Sequence, residues 1–208
     1  MKAERAADGR GSLFRPDANA ERMERSAAIL RLAPIPNARF VEVCRELVRK
    51  NERFVPPAGK GQFYLRPILI GSEPMLGLRK AEQFDFMVYG SPVGNYFAGK
   101  DGGVRLKVVE AARVAAGGTG AAKALANYPG GIGHRETWQE RGFDDVLFLD
   151  ARGAGLVTET SGSNFFAVLK GGKVVTPALS DQILPGITRA SVIQLARKEF
   201  GIKVEERE

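Results

Sequence analysis

The chain has 208 residues, 44% of them apolar, and a net charge of +7 at pH 7. That length suits one large domain or two small ones, and no run approaches the roughly 20 continuous apolar residues of a membrane-spanning helix. Basic residues are spread along the sequence and interleaved with acids, as in AERMER and CRELVRKNER, which describes a solvated surface rather than the concentrated patch of a nucleic-acid binder.

The opening MKAERAADGRG is charged and lacks the apolar stretch of a secretory signal, so the expected protein is soluble and cytoplasmic. A turn at Ala7-Asp8-Gly9-Arg10 leads to a short strand near Ser12–Arg15. Asp17 or Asn19 is placed to cap a helix reaching Ala33, with Ala20, Met23, Ala27 and Leu30 on one face and Pro34 blocking continuation. A second amphipathic helix is expected over Arg39–Arg53, with Phe40, Cys44, Leu47 and Val48 inward. Cys44 is the lone cysteine: it reads as a small core residue, has no internal disulfide partner, and suits a reducing compartment. With His134 as the lone histidine, a structural zinc site is without its usual ligands and no metal is expected.

After a loop at Pro56-Pro57 and Gly59–Gly61, Phe63–Gly71 alternates. Tyr64, Arg66, Ile68 and Ile70 share one face, and Phe63, Leu65 and Leu69 the other. Arg66 marks either a face lining a polar cavity or the solvated face of an edge strand, and Pro67 suits an edge or bulge. Phe84–Gly90 reads as a strand, Ser91–Gly103 as a domain crossing rich in glycine, and Val104–Val109 as another strand.

In RVAAGGTGAAKALANY (Arg113–Tyr128) one lysine, Lys123, sits among alanines and glycines. Such company predicts poor solvation, which makes the neutral amine of a nucleophilic or Schiff-base lysine easier to reach. Gly117, Gly118 and Gly120 leave room for a flat group near the backbone. The competing reading is a surface lysine at a helix start after a flexible loop. Pro129-Gly130-Gly131 predicts a break, with the helix restarting from Pro129 through Trp138 to Arg141. Asp145–Asp150 reads as a buried strand, Ser163–Pro177 as a hairpin turning at Gly171-Gly172, and the segment after ILPG as a helix stopped by Gly201. Glu159, ahead of Ser161-Gly162-Ser163, is either a turn residue or a buried partner for a cation. Gly186-Ile187-Thr188 is either a phosphate-holding helix entrance or a plain helix start with Thr188 near the cap. Helices and strands mix without regular alternation, which favours an α+β fold of two domains, 1–98 and 99–208.

GGTGAAKALANY, ETSGSNFF and LPGITR, in that order and spacing, resemble the branched-chain aminotransferases, pyridoxal-phosphate enzymes of fold type IV. FYLRPILIGSEPMLGL, SPVGNYF, ANAERMERSA and GFDDVLFLDA are similar to the same family. The resemblance implies an amino-group transfer between leucine, isoleucine or valine and 2-oxoglutarate, with pyridoxal 5'-phosphate as cofactor. It makes Lys123 the Schiff-base lysine and proton shuttle, Tyr128 the partner of the ring oxygen, and Glu159 the partner of the pyridine nitrogen. Arg22, Ile187 and Thr188 match phosphate contacts, Arg113 a further cofactor-site arginine, and Tyr64 and Arg66 substrate-side residues, Arg66 suiting the second carboxylate of 2-oxoglutarate. It also implies a homodimer acting on small amino and 2-oxo acids, with no nucleic-acid or membrane partner. The FYLRP and GGTG contexts argue against the same-fold D-amino-acid transaminases and aminodeoxychorismate lyases; a catalytically silent remnant is the rival of another class. Family members carry strands ahead of the segment resembling MKAERAADGRG, an aromatic residue where Glu4 stands, a continuous helix where Pro129-Gly130-Gly131 falls, and a further segment beyond Glu208. The 208 residues alone are therefore expected to be marginally stable or self-associating, with poor or no transamination.

Overall fold

Alternating apolar residues in the first half of the chain build one antiparallel sheet. In the computed structural model, which describes residues 1–94, 96–97, 99–100 and 102–208, strands β1 (Lys2–Arg5), β2 (Gly11–Leu13), β3 (Gln62–Gly71) and β4 (Phe84–Val93) lie in the order β2-β1-β3-β4. Helices α1 (Pro16–Ile29) and α2 (Asn37–Lys50) join them. Inward residues of sheet and helices make one core: Ala3, Ala20, Phe40, Cys44, Val55, Phe63 and Leu65 are all buried together. Burial pushes the Cys44 thiol up to about 11, so it packs as an apolar group and is unreactive at neutral pH. β1 pairs with β3 at Tyr64 and Phe63, and β4 pairs along the whole of β3. Among the described residues Pro67 therefore has a ladder partner on one side, which its missing N–H permits. Arg66 is exposed, its guanidinium 5.4 Å from the Tyr64 ring centroid.

Several boundaries differ from the sequence expectation. The opening charged segment forms β1, because Ala3 is its one inward residue and is fully buried. The following strand is Gly11–Leu13, not Ser12–Arg15, since Arg15 turns left-handed (φ 44°) at the N-cap of α1. Neither Asp17 nor Asn19 caps that helix by a side-chain hydrogen bond. Asn19 instead donates from inside the first turn to the Arg15 carbonyl at 2.8 Å. α1 stops at Ile29 rather than Ala33: Arg31 adopts φ 58°, and the Leu32 N–H returns to the Ala27 carbonyl at 2.9 Å, closing the helix by a left-handed turn before Pro34 is reached. α2 begins and ends earlier than expected, with Glu52–Phe54 forming a separate 3-10 turn. β4 continues to Val93, three residues into the expected crossing.

The chain divides into units Met1–Asp101 and Gly102–Glu208; the expected boundary at Ala98 lies outside the described residues. In the second unit β5 (Leu106–Val109), β6 (Asp145–Leu149) and β7 (Val157–Thr160) form one sheet, with β5 and β6 parallel and β6 and β7 antiparallel. β8 (Ala167–Val168), β9 (Val174–Pro177) and β10 (Val204–Arg207) form another, with β9 and β10 parallel. Parallel neighbours need a crossover; α3 (Tyr128–Gln139) lies in that between β5 and β6, and α4 (Ile187–Phe200) in that between β9 and β10. Pro129 falls in the first turn of α3, where its absent N–H has no intrahelical partner to lose. Val109, Val146 and Phe148 form the core here, with Trp138 of α3 against them.

Leu65 is fully buried, whereas Leu76 on the β3–β4 loop is fully exposed. Chemical unfolding should show Leu65→Ala losing about 2–5 kcal/mol and Leu76→Ala changing stability by less than about 0.5 kcal/mol. Equal losses would contradict the placement of the first unit's core.

Candidate active site

The sequence Thr158-Glu159-Thr160 ends β7 with three buried polar residues in a row. Thr160 then folds the chain back: its hydroxyl accepts the Ser163 N–H at 3.1 Å, a short side-chain turn that returns Asn164 to Glu159, the two forming an isolated antiparallel bridge. The Asn164 amide donates to Glu159 Oε1 and, at 2.8 Å, to the Leu184 carbonyl. The Leu184 N–H donates to the same Oε1 at 3.1 Å. Glu159 Oε2 meets Arg113 Nη2 at 2.7 Å, both side chains at most 7% exposed, and Arg113 also donates to the Gln182 carbonyl at 3.1 Å. Burial raises the Glu159 pKa, opposed by Arg113, by the Leu184 N–H and by the charges of Lys123 and Arg189. Of the two sequence readings, Glu159 is thus the buried partner of a cation.

Lys123 corrects one expectation. Its alanine neighbours Ala122 and Ala124 are buried, yet Lys123 itself is exposed, because successive side chains here turn to opposite sides and the alanines take the inner one. The amine donates to the Tyr128 hydroxyl and lies 5.1 Å from the centre of the Tyr128 ring. A 3-10 turn at Leu125–Asn127 and the start of α3 at Tyr128 set this pairing. Asn127, buried, staples the loop before the lysine: its amide donates to the carbonyls of Thr119 at 2.8 Å and Ala122 at 3.0 Å, and its oxygen accepts the Thr119 hydroxyl at 2.7 Å.

Ile187 and Thr188 open α4, and Gly186, not Thr188, is the N-cap. A side chain at position 186 would overlap the Asn164 amide oxygen, so the glycine lets the helix start close to Glu159's partner. The first N–H groups of α4 have no intrahelical acceptor and carry the positive end of its dipole. The second unit therefore gathers Arg113, Lys123, Tyr128, Glu159 and the segment leading into Ile187 and Thr188. Arg22, Tyr64 and Arg66 belong to the first unit; Arg22 donates to Asn19 Oδ1 at 2.9 Å along α1.

Sequence reasoning missed Asn164, Ser161 and Arg189. Asn164 and Ser161 lie inside ETSGSNFF and Arg189 inside LPGITR, but no spacing rule distinguishes them from their polar neighbours. Arg189 is buried and donates to the Pro177 carbonyl at 2.8 Å and to Glu206 at 2.7 Å, tying α4 to β9 and β10. The Ser161 hydroxyl and Arg113 Nε are buried without a hydrogen-bond partner among the described residues.

The sequence matches the amino-transferase class IV family over residues 2–208. It is 45% identical over 208 residues to the mitochondrial branched-chain-amino-acid aminotransferase 1 of Arabidopsis thaliana, covering 100% of this chain and 54% of that protein. The fold is similar to the branched-chain aminotransferase of Thermoproteus uzoniensis with norvaline (TM-score 0.86, 32% identity, 99% of this chain and 66% of that one). It is also similar to that of Thermobaculum terrenum in its PLP form (TM-score 0.82, 27% identity, 99% and 65%). The chain spans about half the length of the curated relatives it matches.

The pKa of Glu159 is raised on folding, so the folded chain holds that proton to higher pH than the unfolded one. The linked stabilisation is full below the unfolded value of about 4.3 and is lost as pH rises through the folded value. In thermal melts across that window, the parent should lose stability relative to Glu159→Gln as pH rises. A difference between the two that widens in the parent's favour would mean the carboxylate is stabilised as the anion.

Proposed function

The chain belongs to the class IV aminotransferases, and on that premise we propose that its protein moves the amino group between a branched-chain amino acid and 2-oxoglutarate with pyridoxal 5'-phosphate. The observation that carries this reading is the buried Glu159 carboxylate, held by Arg113, Asn164 and the Leu184 N–H, within reach of the charge of a loop lysine.

The residues present fit the cofactor. A buried acid suits a protonated ring nitrogen, an accessible primary amine suits an aldehyde, and a helix entrance suits a phosphate. Two buried donors without partners among the described residues, Arg113 Nε and Ser161 Oγ, suit a polar acceptor that these residues do not supply. Bound pyridoxal phosphate supplies an electron sink for the pair released at the substrate Cα. Glu159 would hold the proton on the ring nitrogen, with Arg113 and Asn164 fixing its two oxygens. Lys123 would anchor the cofactor covalently and then take and return the proton at Cα, its amine steered by the Tyr128 hydroxyl, which also serves the ring oxygen. The N–H groups of Ile187 and Thr188 would hold the phosphate. From the first unit we assign Arg22 to the phosphate and Tyr64 and Arg66 to the substrate, on the resemblance of their motifs.

The buried, unpaired Cys44 supports a reducing compartment, which we take to be the cytoplasm. Relatives that carry mitochondrial or chloroplastic names set organelles as the alternative. A homodimer is proposed with the family, the fully exposed Leu76 and Leu78 being apolar surface that a second copy would cover.

Incubation with pyridoxal phosphate followed by borohydride should fix a pyridoxyl group on the tryptic peptide containing Lys123, and Lys123→Ala should abolish both label and turnover. Label on another lysine would overturn the assignment. Glu159→Gln should keep the label yet lower leucine:2-oxoglutarate turnover by about 10²-fold or more, the scale of one preorganised electrostatic partner. Arg66→Ala should raise KM for 2-oxoglutarate more than for leucine, since leucine has a single carboxylate; equal losses would remove Arg66 from that role.

A further inference from the structure

The run Asp181-Gln182-Ile183-Leu184 bonds to Arg113, to Glu159 and to the glycine loop ahead of Lys123. The Asp181 carboxylate accepts the Gly117 N–H, and its carbonyl accepts the Ala121 N–H at 3.1 Å. Both contacts fall in the glycine loop just ahead of Lys123. Gly120 lies against the same segment so closely that a side chain there would come within 2.5 Å of the Asp181 carbonyl oxygen and 2.7 Å of Gln182 Cα. The Gln182 carbonyl accepts from Arg113, its side-chain oxygen takes the Ala151 N–H at 2.6 Å, and the Leu184 N–H holds Glu159. Outside this run Arg152 grips Asp181 with both terminal guanidinium nitrogens, Nη1 at 3.1 Å and Nη2 at 2.8 Å.

We propose that Asp181, locked by Arg152, is a positioning residue: a clasp that holds the Gly117–Ala121 loop so that Lys123 keeps a fixed place relative to Glu159. The clasp rests on the function proposed above only for its consequence in catalysis; the clasp itself is a property of the cofactor-free chain. Glycine at 117, with φ 69°, and at 120 gives the loop a conformation that L side chains resist and a backbone approach they would block. It also gives a loop with little intrinsic stiffness. The loop has Asn127 as its staple on the lysine side and Asp181 on the other. The Asp181 pKa is lowered, first by Arg152 and then by the Gly117 N–H, so the carboxylate is charged throughout the working pH range and the grip does not switch off near neutrality. The two-pronged contact from Arg152 is charge-assisted and fixes the acceptor on which the Gly117 N–H, and through it the loop of small residues, rests.

Hydrogen exchange on the cofactor-free chain tests the clasp directly. Asp181→Ala should speed exchange at Gly117–Ala122 by about tenfold, the order of one charged hydrogen bond, with β6 unchanged. Asp181→Asn, which keeps an acceptor for the Gly117 N–H, should restore most of that protection. Arg152→Gln should fall between the parent and Asp181→Ala. In the cofactor-loaded protein, Asp181→Ala should lower kcat about tenfold with KM for leucine nearly unchanged, because the misplaced group is the amine and not the substrate pocket. Parent-like exchange at Gly117–Ala122 in Asp181→Ala would overturn the clasp, as would a loss in β6 equal to that in the loop. If the parent takes no pyridoxyl label, the proposed function fails while the exchange result still decides the clasp.

Discussion

The candidate site is built around a carboxylate removed from water, Glu159. An unpaired buried carboxylate costs several kcal/mol even after relaxation, and Glu159 is only 5% exposed. Its two oxygens are answered from three separate stretches: Arg113 from the segment ahead of the glycine loop, Asn164 from the turn after β7, and the Leu184 backbone from the approach to α4. Each of those stretches is thereby tied to the others through one side chain. Removal of any single partner would leave the remaining charge less well compensated, so the arrangement is held as a unit rather than contact by contact.

Lys123 is treated in the opposite way. It stays at the surface while the alanines beside it are buried, and its nitrogen is steered by the Tyr128 phenol rather than sealed in. The contrast suits the roles proposed for the two groups. An acid proposed to hold a proton on a ring would benefit from low dielectric and a rigid frame, whereas an amine proposed to bond a ligand covalently would need access from solvent while the loop that carries it stays held. The low-polarity surroundings that the sequence suggested are real for Ala122 and Ala124 but do not extend to the lysine's own side chain.

Periodicity made the first-unit core legible. Phe40, Cys44, Leu47 and Val48 read as one helix face and Phe63, Leu65 and Leu69 as one strand face, and all of these except Leu69 belong to the same packed cluster. Glycine and proline chemistry was legible too: Pro129 does lie in the first turn of a helix, Gly171-Gly172 does turn a hairpin with positive φ at both residues, and Gly201 does close α4 left-handed. Short charged strands were not. Lys2–Arg5 and Val204–Arg207 have one or two inward residues each, too few for an alternation signal, and they exist because a neighbouring strand offers its edge. The candidate site divides in the same way. Lys123, Tyr128 and Glu159 stood out through their motifs, but the Arg113–Glu159 pair joins residues far apart in sequence, and nothing in either segment names the other. Asp181 gave no signal at all, since an acid in SDQ is an ordinary turn residue until the fold brings Gly117 and Arg152 to it.

The topology explains why these particular stretches meet. Both parallel pairs in the second unit, β5 with β6 and β9 with β10, require a chain crossing, and each crossing leaves the C-terminal end of its first strand through a loop before its helix begins. The loop after β5 carries Arg113 and Lys123 and ends where α3 starts at Tyr128. The loop after β9 carries Asp181, Gln182 and Leu184 and ends where α4 starts at Ile187. Loops leaving the carboxyl ends of parallel strands are where ligand sites of mixed folds collect, because they are long enough to carry polar groups and are followed by helix entrances with free N–H donors. Here the two loops are bonded to each other through Ala121, Arg113 and the Asp181–Gln182 carbonyls. β7 runs antiparallel to β6, from Val157 opposite Leu149 back to Thr160 opposite Leu147, which sets Glu159 within that sheet where Arg113 of the loop after β5 reaches it. The acid's position is thus a consequence of strand pairing and the amine's position a consequence of how one crossover loop is held by the other.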